Sequence, residues 1–261
     1  MRDQLFDIKY FDEYIKSELE GRIDRKDKLL NNEIINDRIF KVKSFIARDI
    51  LYTLIAKYSA GYSIEDLYPD YYEAVDYMHQ SWMVLDNRAF RNEEYFNHYF
   101  GTDYDLMLWM LSLAYLMNVN EAVFKKLVEI IDRFTVRDIL YEKIIRAKFP
   151  DRPKIEAESY KLIMDIPWVY EKLRMAATEP DDQYGKERAQ ALIEAFLEKD
   201  FYKRHKDYSF YDNHKSKQNV YFGYWSIESA AICAIIGVIS DEIIQNKYFP
   251  KDMYAYKMNK E

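Results

Sequence analysis

Cys233 is the only thiol in a chain of 261 residues, and His79, His98, His205 and His214 are the only imidazoles. A reactive thiolate needs an electropositive, partly exposed setting. Cys233 instead lies in an apolar helical run and reads as a small buried hydrophobe. Asp76 and His79 stand at i, i+3, the offset with which di-iron carboxylate helices present their ligands. That chemistry needs a second such pair and two further helix carboxylates, and Glu94 to His98 has the wrong step. Glu93–Glu94 and Asp181–Asp182 read as solvated acids. Six glycines spread singly build no phosphate-cradling loop. No strand carrying an acid and a lysine, as a nuclease core requires, is visible. The sequence predicts no catalytic residues, no metal and no cofactor.

Charge is more informative. The chain carries 38 Lys and Arg against 45 Asp and Glu, a net of −7. That balance argues against direct nucleic-acid binding, because phosphates need Lys and Arg to displace their counterions. Residues 51–124 hold 3 basic and 11 acidic side chains, a net of −8. No Lys or Arg lies between Lys57 and Arg88. That gap holds Glu65, Asp66, Asp70, Glu73, Asp76 and Asp86 among Tyr58, Tyr62, Tyr68, Tyr71, Tyr72, Tyr77 and Trp82. Carboxylates interleaved with aromatic rings suit a basic protein partner: complementary charge speeds encounter, and desolvated rings supply hot-spot energy. The same pattern also fits a solvated helix face with buried tyrosines. Glu65, Asp66, Asp70, Tyr71, Glu73 and Asp76 are the candidate partner-binding residues. Asp181 and Asp182, in a second acidic loop, join them.

One constellation is specific. It runs His214-Lys215, then Tyr221-Phe222-Gly223-Tyr224-Trp225-Ser226-Ile227-Glu228-Ser229-Ala230-Ala231, then Tyr248-Phe249-Pro250-Lys251-Asp252. Gly223 permits an unusual backbone angle just before a helix. Ser226 can cap that helix, and Glu228 in its first turn is favoured by the helix dipole. Tyr248 and Pro250 set a rigid turn. These residues read either as fold-defining or, for His214, Tyr224, Trp225 and Glu228, as the lining of a polar pocket.

Helices must position all of this. Gly and Pro number 6 each, too few for the many tight turns of a sandwich or barrel. Leu106, Trp109, Met110, Leu113, Ala114 and Met117 step by three and four and mark one apolar helix face. Val123, Leu127, Ile130, Ile131 and Phe134 repeat the pattern, as do Ile139, Leu140, Ile144 and Ala147, and Trp225, Ala231, Ile232, Ile235 and Ile236. Ser63 with Asp66, and Thr135 with Asp138, resemble capping boxes. Gly61, Gly101 and Gly237 read as helix stops, and Pro69 as a break or start. Phe149 to Pro153 reads as a linker, and Thr178 to Tyr184 as a loop. The expected fold is all-α, with ten or more helices in two packed halves, 1–148 and 149–261, and no substantial sheet. A lone cysteine, no signal-peptide h-region, and a longest apolar run of Ala230 to Ile239 predict a cytoplasmic protein without a membrane span.

The stretch from His214 to Asp252 resembles the C-terminal domain of the immunity proteins that neutralise polymorphic nuclease effectors, the PoNe toxins of bacterial secretion systems. That family shows a Gly-Tyr-Trp-Ser/Thr-aromatic/apolar-Glu-Ala-Ala pattern, a His some residues upstream and a Tyr-Tyr-Pro-x-Asp ending. His214, Gly223, Tyr224, Trp225, Ser226, Glu228, Ala230, Ala231, Tyr248, Pro250 and Asp252 match it, and Phe249 stands where the second Tyr is usual. Arg48-Asp49 and Tyr58 to Tyr62 are similar to the family's N-terminal domain. The resemblance implies an all-α, non-enzymatic, cytoplasmic inhibitor, monomeric or homodimeric, that binds a cognate DNase toxin and blocks its active site. The alternatives are an acidic helical scaffold or DNA mimic unrelated to toxins, and a small helical enzyme using His214, Tyr224 and Glu228.

Overall fold

The computed structural model describes residues 1–84, 101–133, 137–154, 168–208 and 210–260. Asp86, Arg88, Glu93, Glu94, His98, Phe134 and Thr135 lie outside the described residues. Among those described, regular structure is helical and no strand occurs, which is the all-α class expected from the spacing. The helices are α1 (Ile8–Leu30), α2 (Ile39–Ala60), α3 (Tyr68–Trp82), α4 (Gly101–Leu116), α5 (Glu121–Asp132), α6 (Ile139–Lys148), α7 (Glu171–Thr178), α8 (Gln183–Ala195), α9 (Phe201–Arg204), α10 (Ile227–Ile236), α11 (Asp241–Gln245) and α12 (Lys251–Met258). They form two compact units interleaved in sequence. The first comprises the described residues of Met1–Asp86, Lys125–Arg133 and Asp212–Gly223. The second comprises those of Asn87–Phe124, Phe134–Tyr211 and Tyr224–Glu261.

In the first unit α2 packs against both α1 and α3. Its core includes Phe11, Ile46, Ile50, Leu54, Leu67, Tyr71 and Val75, none with exposed surface. Each such side chain contributes about 1.5–3 kcal/mol by leaving water. α1 starts because Asp7 accepts a hydrogen bond from Tyr10 N. α2 stops at Gly61, whose φ of 102° lies in the left-handed region, and a Cβ there would meet Met1 N at 2.8 Å. The chain then enters α3 through a 3₁₀ turn, Glu65–Leu67. The expected capping box holds that turn: Ser63 N donates to Asp66 Oδ2 and Asp66 N to Ser63 Oγ, each at 3.2 Å. Pro69 sits in the first turn of α3, where its missing N–H has no partner to lose.

The second unit is built around α4, which packs against α6, α10 and α12. Every residue from Tyr104 to Leu116 is buried, so α4 is enclosed on all sides rather than on the single face read from its spacing. Gly101, expected as a helix stop, is the first residue of α4, and the residues before it lie outside those described. Asp138, read as the far end of a box started by Thr135, is itself the cap of α6 and accepts from Leu140 N and Tyr141 N. α7 packs against α6 and α8, and α8 widens into one turn of π-helix over Phe196–Asp200. α10 ends at Gly237, at φ 74°, as expected of a glycine stop. No helix among the described residues is long and apolar enough to cross a membrane.

Candidate functional site

The acidic, tyrosine-rich segment lies in the first unit, on the turn before α3 and on α3 itself. Its rings divide by helical position. Tyr58 and Tyr71 are packed in the core, and burial pushes the Tyr71 hydroxyl well above its usual range. Tyr71 therefore offers a partner no surface. Tyr62 is exposed, and Tyr68, Tyr72 and Tyr77 are half-buried.

Its acids are mostly tied. Asp70, nearly buried, pairs with Lys57 at 2.5 Å. Glu73 pairs with Lys26 of α1, and Asp76 with Lys126 of α5. His79 meets Glu129 at 2.7 Å, so Asp76 and His79 both contact α5. Thus three acids of α3 each face a cation on a different helix. Glu65 and Asp66 are exposed at its N-terminal end, and Asp76 is exposed despite its lysine. Exposed pairs of this kind are worth about 0–1 kcal/mol, little enough for a partner's cation to displace.

The second acidic loop joins α7 to α8 in the second unit. Asp182 caps α8, accepting from Gly185 N at 2.7 Å. Asp181 projects into solvent with its side chain 89 % exposed, 3.1 Å from Lys186. Tyr184 beside it is 74 % exposed. Gly185 makes this loop possible: a Cβ there would lie 2.0 Å from the Pro180 carbonyl oxygen.

The C-terminal motif is divided between the units. His214, Tyr221 and Gly223 belong to the first and Tyr224 onward to the second. His214 is half-buried with its ring edge-on to Tyr221 at 6.3 Å. Tyr221 is buried; its hydroxyl donates to Asp3 at 2.6 Å and its N–H to the Tyr10 hydroxyl at 2.9 Å. Gly223 takes a φ of 119°, the unusual angle its position called for.

In the second unit Tyr224 and Trp225 are buried, with Tyr224 5.1 Å from Tyr202 and 6.4 Å from Phe210. Ser226 stands at the start of α10 but makes no side-chain cap. Its hydroxyl instead donates to Glu228 at 2.6 Å and meets Ser229 at 2.7 Å, while its N–H donates to Tyr248 O at 2.8 Å. Tyr248 stacks on Tyr202, and Pro250 opens α12, with the half-buried Asp252 in its first turn. The motif thus ties the start of α10 to the turn before α12. Glu228 has no exposed surface, and burial lifts its carboxyl to about 7.

A buried polar network in the second unit has no counterpart in the sequence reading. Arg174 donates to Asp138 Oδ2 and to the Tyr104 hydroxyl, each at 2.6 Å, and Tyr104 donates to Asp138 Oδ1 at 3.0 Å. The Tyr170 hydroxyl lies 2.8 Å from Asp105 Oδ1 and 3.1 Å from His205 Nε2. His205 Nδ1 meets the Phe201 carbonyl. Burial raises Asp105 well above the carboxylate range and lowers His205 to about 4. His205 is therefore neutral at pH 7. The Tyr170 hydroxyl donates to Asp105 Oδ1, and His205 Nδ1–H donates to Phe201 O. The signal in the sequence was Asp105 itself, an acid opening a run of apolar residues.

Among the described residues no group of three or more His, Cys, Asp or Glu could hold a metal ion. Cys233 is fully buried, and burial raises its thiol far from the reactive range. Among the described residues, the outer side of α3 and the loop before α8 carry exposed acids of the two acidic segments. Two family models match the chain: that of the N-terminal domain of PoNe immunity proteins (PoNi) over residues 2–129, and that of their C-terminal domain over residues 136–253. No curated protein and no solved structure matches it significantly.

Proposed function

The chain belongs to the PoNe immunity protein (PoNi) family, and we propose that it binds a cognate DNase toxin and neutralises it by covering the toxin's basic DNA-binding cleft. The match of both family models is the observation that carries this reading. Protection then needs no turnover by this chain and takes place in the cytoplasm, where the toxin would meet DNA. A cleft that binds DNA is lined with Lys and Arg, and a chain of net charge −7 is attracted to it over the Debye length before contact.

We assign the contact to the exposed acids at the outer side of α3. Glu65, Asp66 and Asp76 meet the toxin first, and Glu73 exchanges Lys26 for a toxin cation. Asp70 and Tyr71 hold that surface from beneath. Asp181 and Asp182, with Tyr184, form a second contact. The test is co-expression with the nuclease encoded in the neighbouring gene. The wild-type chain should restore growth and co-purify with the toxin; failure to do either would overturn the immunity reading. The triple variant Glu65→Gln, Asp66→Asn, Asp76→Asn avoids the internal repulsion that charge reversal would set up. It should slow association about tenfold at low salt, with the difference shrinking as salt rises. An unchanged association rate in a folded triple variant would remove the contact from α3 and leave the immunity reading standing.

A further inference from the structure

The chain has four tryptophans. Trp82, Trp109 and Trp225 are buried, whereas Trp168 keeps 55 % of its surface in water. It stands in a 3₁₀ turn, Trp168–Tyr170, that leads directly into α7. Val169 and Tyr170 of that turn are fully buried, and Leu173, Arg174, Ala176 and Ala177 carry the inward face on along α7. Trp168, Glu171, Met175 and Thr178 follow one another at steps of three, four and three, and so share the outer stripe. Met175 is 50 % exposed, and Glu171 and Thr178 are exposed as well. The stripe therefore leaves two large apolar side chains half in water, with a carboxylate between them.

The indole is held in place. The Arg204 guanidinium lies over its ring at 4.7 Å, and Nη1 donates to the Trp168 carbonyl oxygen at 2.8 Å. The same guanidinium is gripped by Glu171 at 3.3 Å and by Asp200 at 3.1 Å. A ring fixed in this way has little rotamer freedom left to lose on binding, and tryptophan is enriched among interface hot spots. The charge beside it selects the partner. Arg204 and Lys172 are both tied to Asp200 and mostly covered, whereas Glu171 and, just past the end of α7, Asp181 are exposed carboxylates. A second copy of this chain would bring that acidic rim against itself. A basic protein surface would complement it.

We propose that the outer stripe of α7 is the apolar anchor of the toxin contact, with the Trp168 indole and Met175 entering an apolar recess of the toxin that has a basic rim. This rests on the immunity reading, and it extends the contact at Asp181, Asp182 and Tyr184 along α7. The exposed carboxylates govern how fast the partners meet, and the anchor governs how long they stay together.

Surface plasmon resonance with the nuclease of the neighbouring gene tests this, using the full chain. Binding of the wild type is the reference, and its absence would overturn the immunity reading and the anchor together. Trp168→Ala should raise the dissociation rate at least about tenfold, with the association rate and its salt dependence little changed. An unchanged dissociation rate in the folded variant would overturn the anchor and leave the immunity reading standing. Should Trp168→Ala fail to fold, Met175→Lys decides by the same measure, because it keeps the Arg204 stack and sets a cation against the basic rim. A wild-type dimer that Met175→Lys dissolves would also overturn the anchor, since the stripe would then be a self-interface.

Discussion

Glu228→Gln should flatten the dependence of stability on pH. Glu228 has no exposed surface, and its carboxyl is held near 7 by burial against an ordinary value of 4.5. The folded chain keeps this proton up to about pH 7, whereas the unfolded chain releases it near 4.5. Between those values the folded state binds more protons, so stability falls as pH rises, by about 1.36 kcal/mol per unit. The favourable difference is complete below the unfolded value and gone above the folded one. From about pH 5 to about pH 8 the loss is on the order of 2–3 kcal/mol. Glutamine reproduces the shape and the donor of the protonated acid and cannot ionise. The Glu228 charge also acts on Asp105, so subtracting the two curves reports Glu228 together with that coupling. The assay is urea unfolding of both proteins across that range at fixed salt. The variant's stability minus the wild type's should grow by about 2–3 kcal/mol from the acid end to the alkaline end. Parallel curves would refute the burial account, because they would mean that Glu228 is ionised or solvated in the folded chain.

Two further substitutions probe the second unit. Asp138→Ala removes the cap of α6 and leaves Arg174 buried without its carboxylate. It should cost about 3–5 kcal/mol in the same urea assay, and a loss below about 1 kcal/mol would contradict the network described. Gly185→Ala places a methyl group where the Pro180 carbonyl oxygen lies and should destabilise by about 1–3 kcal/mol. An unaltered Tm would show that the loop does not close against α8 in this way.

Helix identity was legible in this chain because it depends on neighbours three and four residues away. The Ser63–Asp66 box, the glycine stops at Gly61 and Gly237 and the Phe149 break all follow from such local chemistry. Charge pairing was not legible, because its partners are remote. A segment count of −8 over residues 51–124 sees none of the cations that α1 and α5 bring to α3, and so overstates the free acid there. The tyrosines were ambiguous for a related reason: phenol rings suit cores and surfaces alike, and only packing put Tyr71 inside and left Tyr62 outside. The C-terminal motif was visible as a pattern, but its work is internal. Ser226 looked like a helix cap and instead holds a buried acid, because Glu228 lies two residues along with no exposed surface.

The enclosure of α4 also has a kinetic side. Of its covering helices, α6 follows within about 25 residues, but α10 begins about 110 and α12 about 135 residues after its own last turn. At ribosomal rates of about 5–20 residues per second, the sides of α4 that α10 and α12 cover stay open for about 5–30 s after synthesis. During that interval the nascent chain presents the surface that chaperones bind and that aggregates grow from. Protection against a toxin made at the same time would then start only after the last helices leave the ribosome. The delay belongs to the topology, and no change in affinity for the toxin would shorten it.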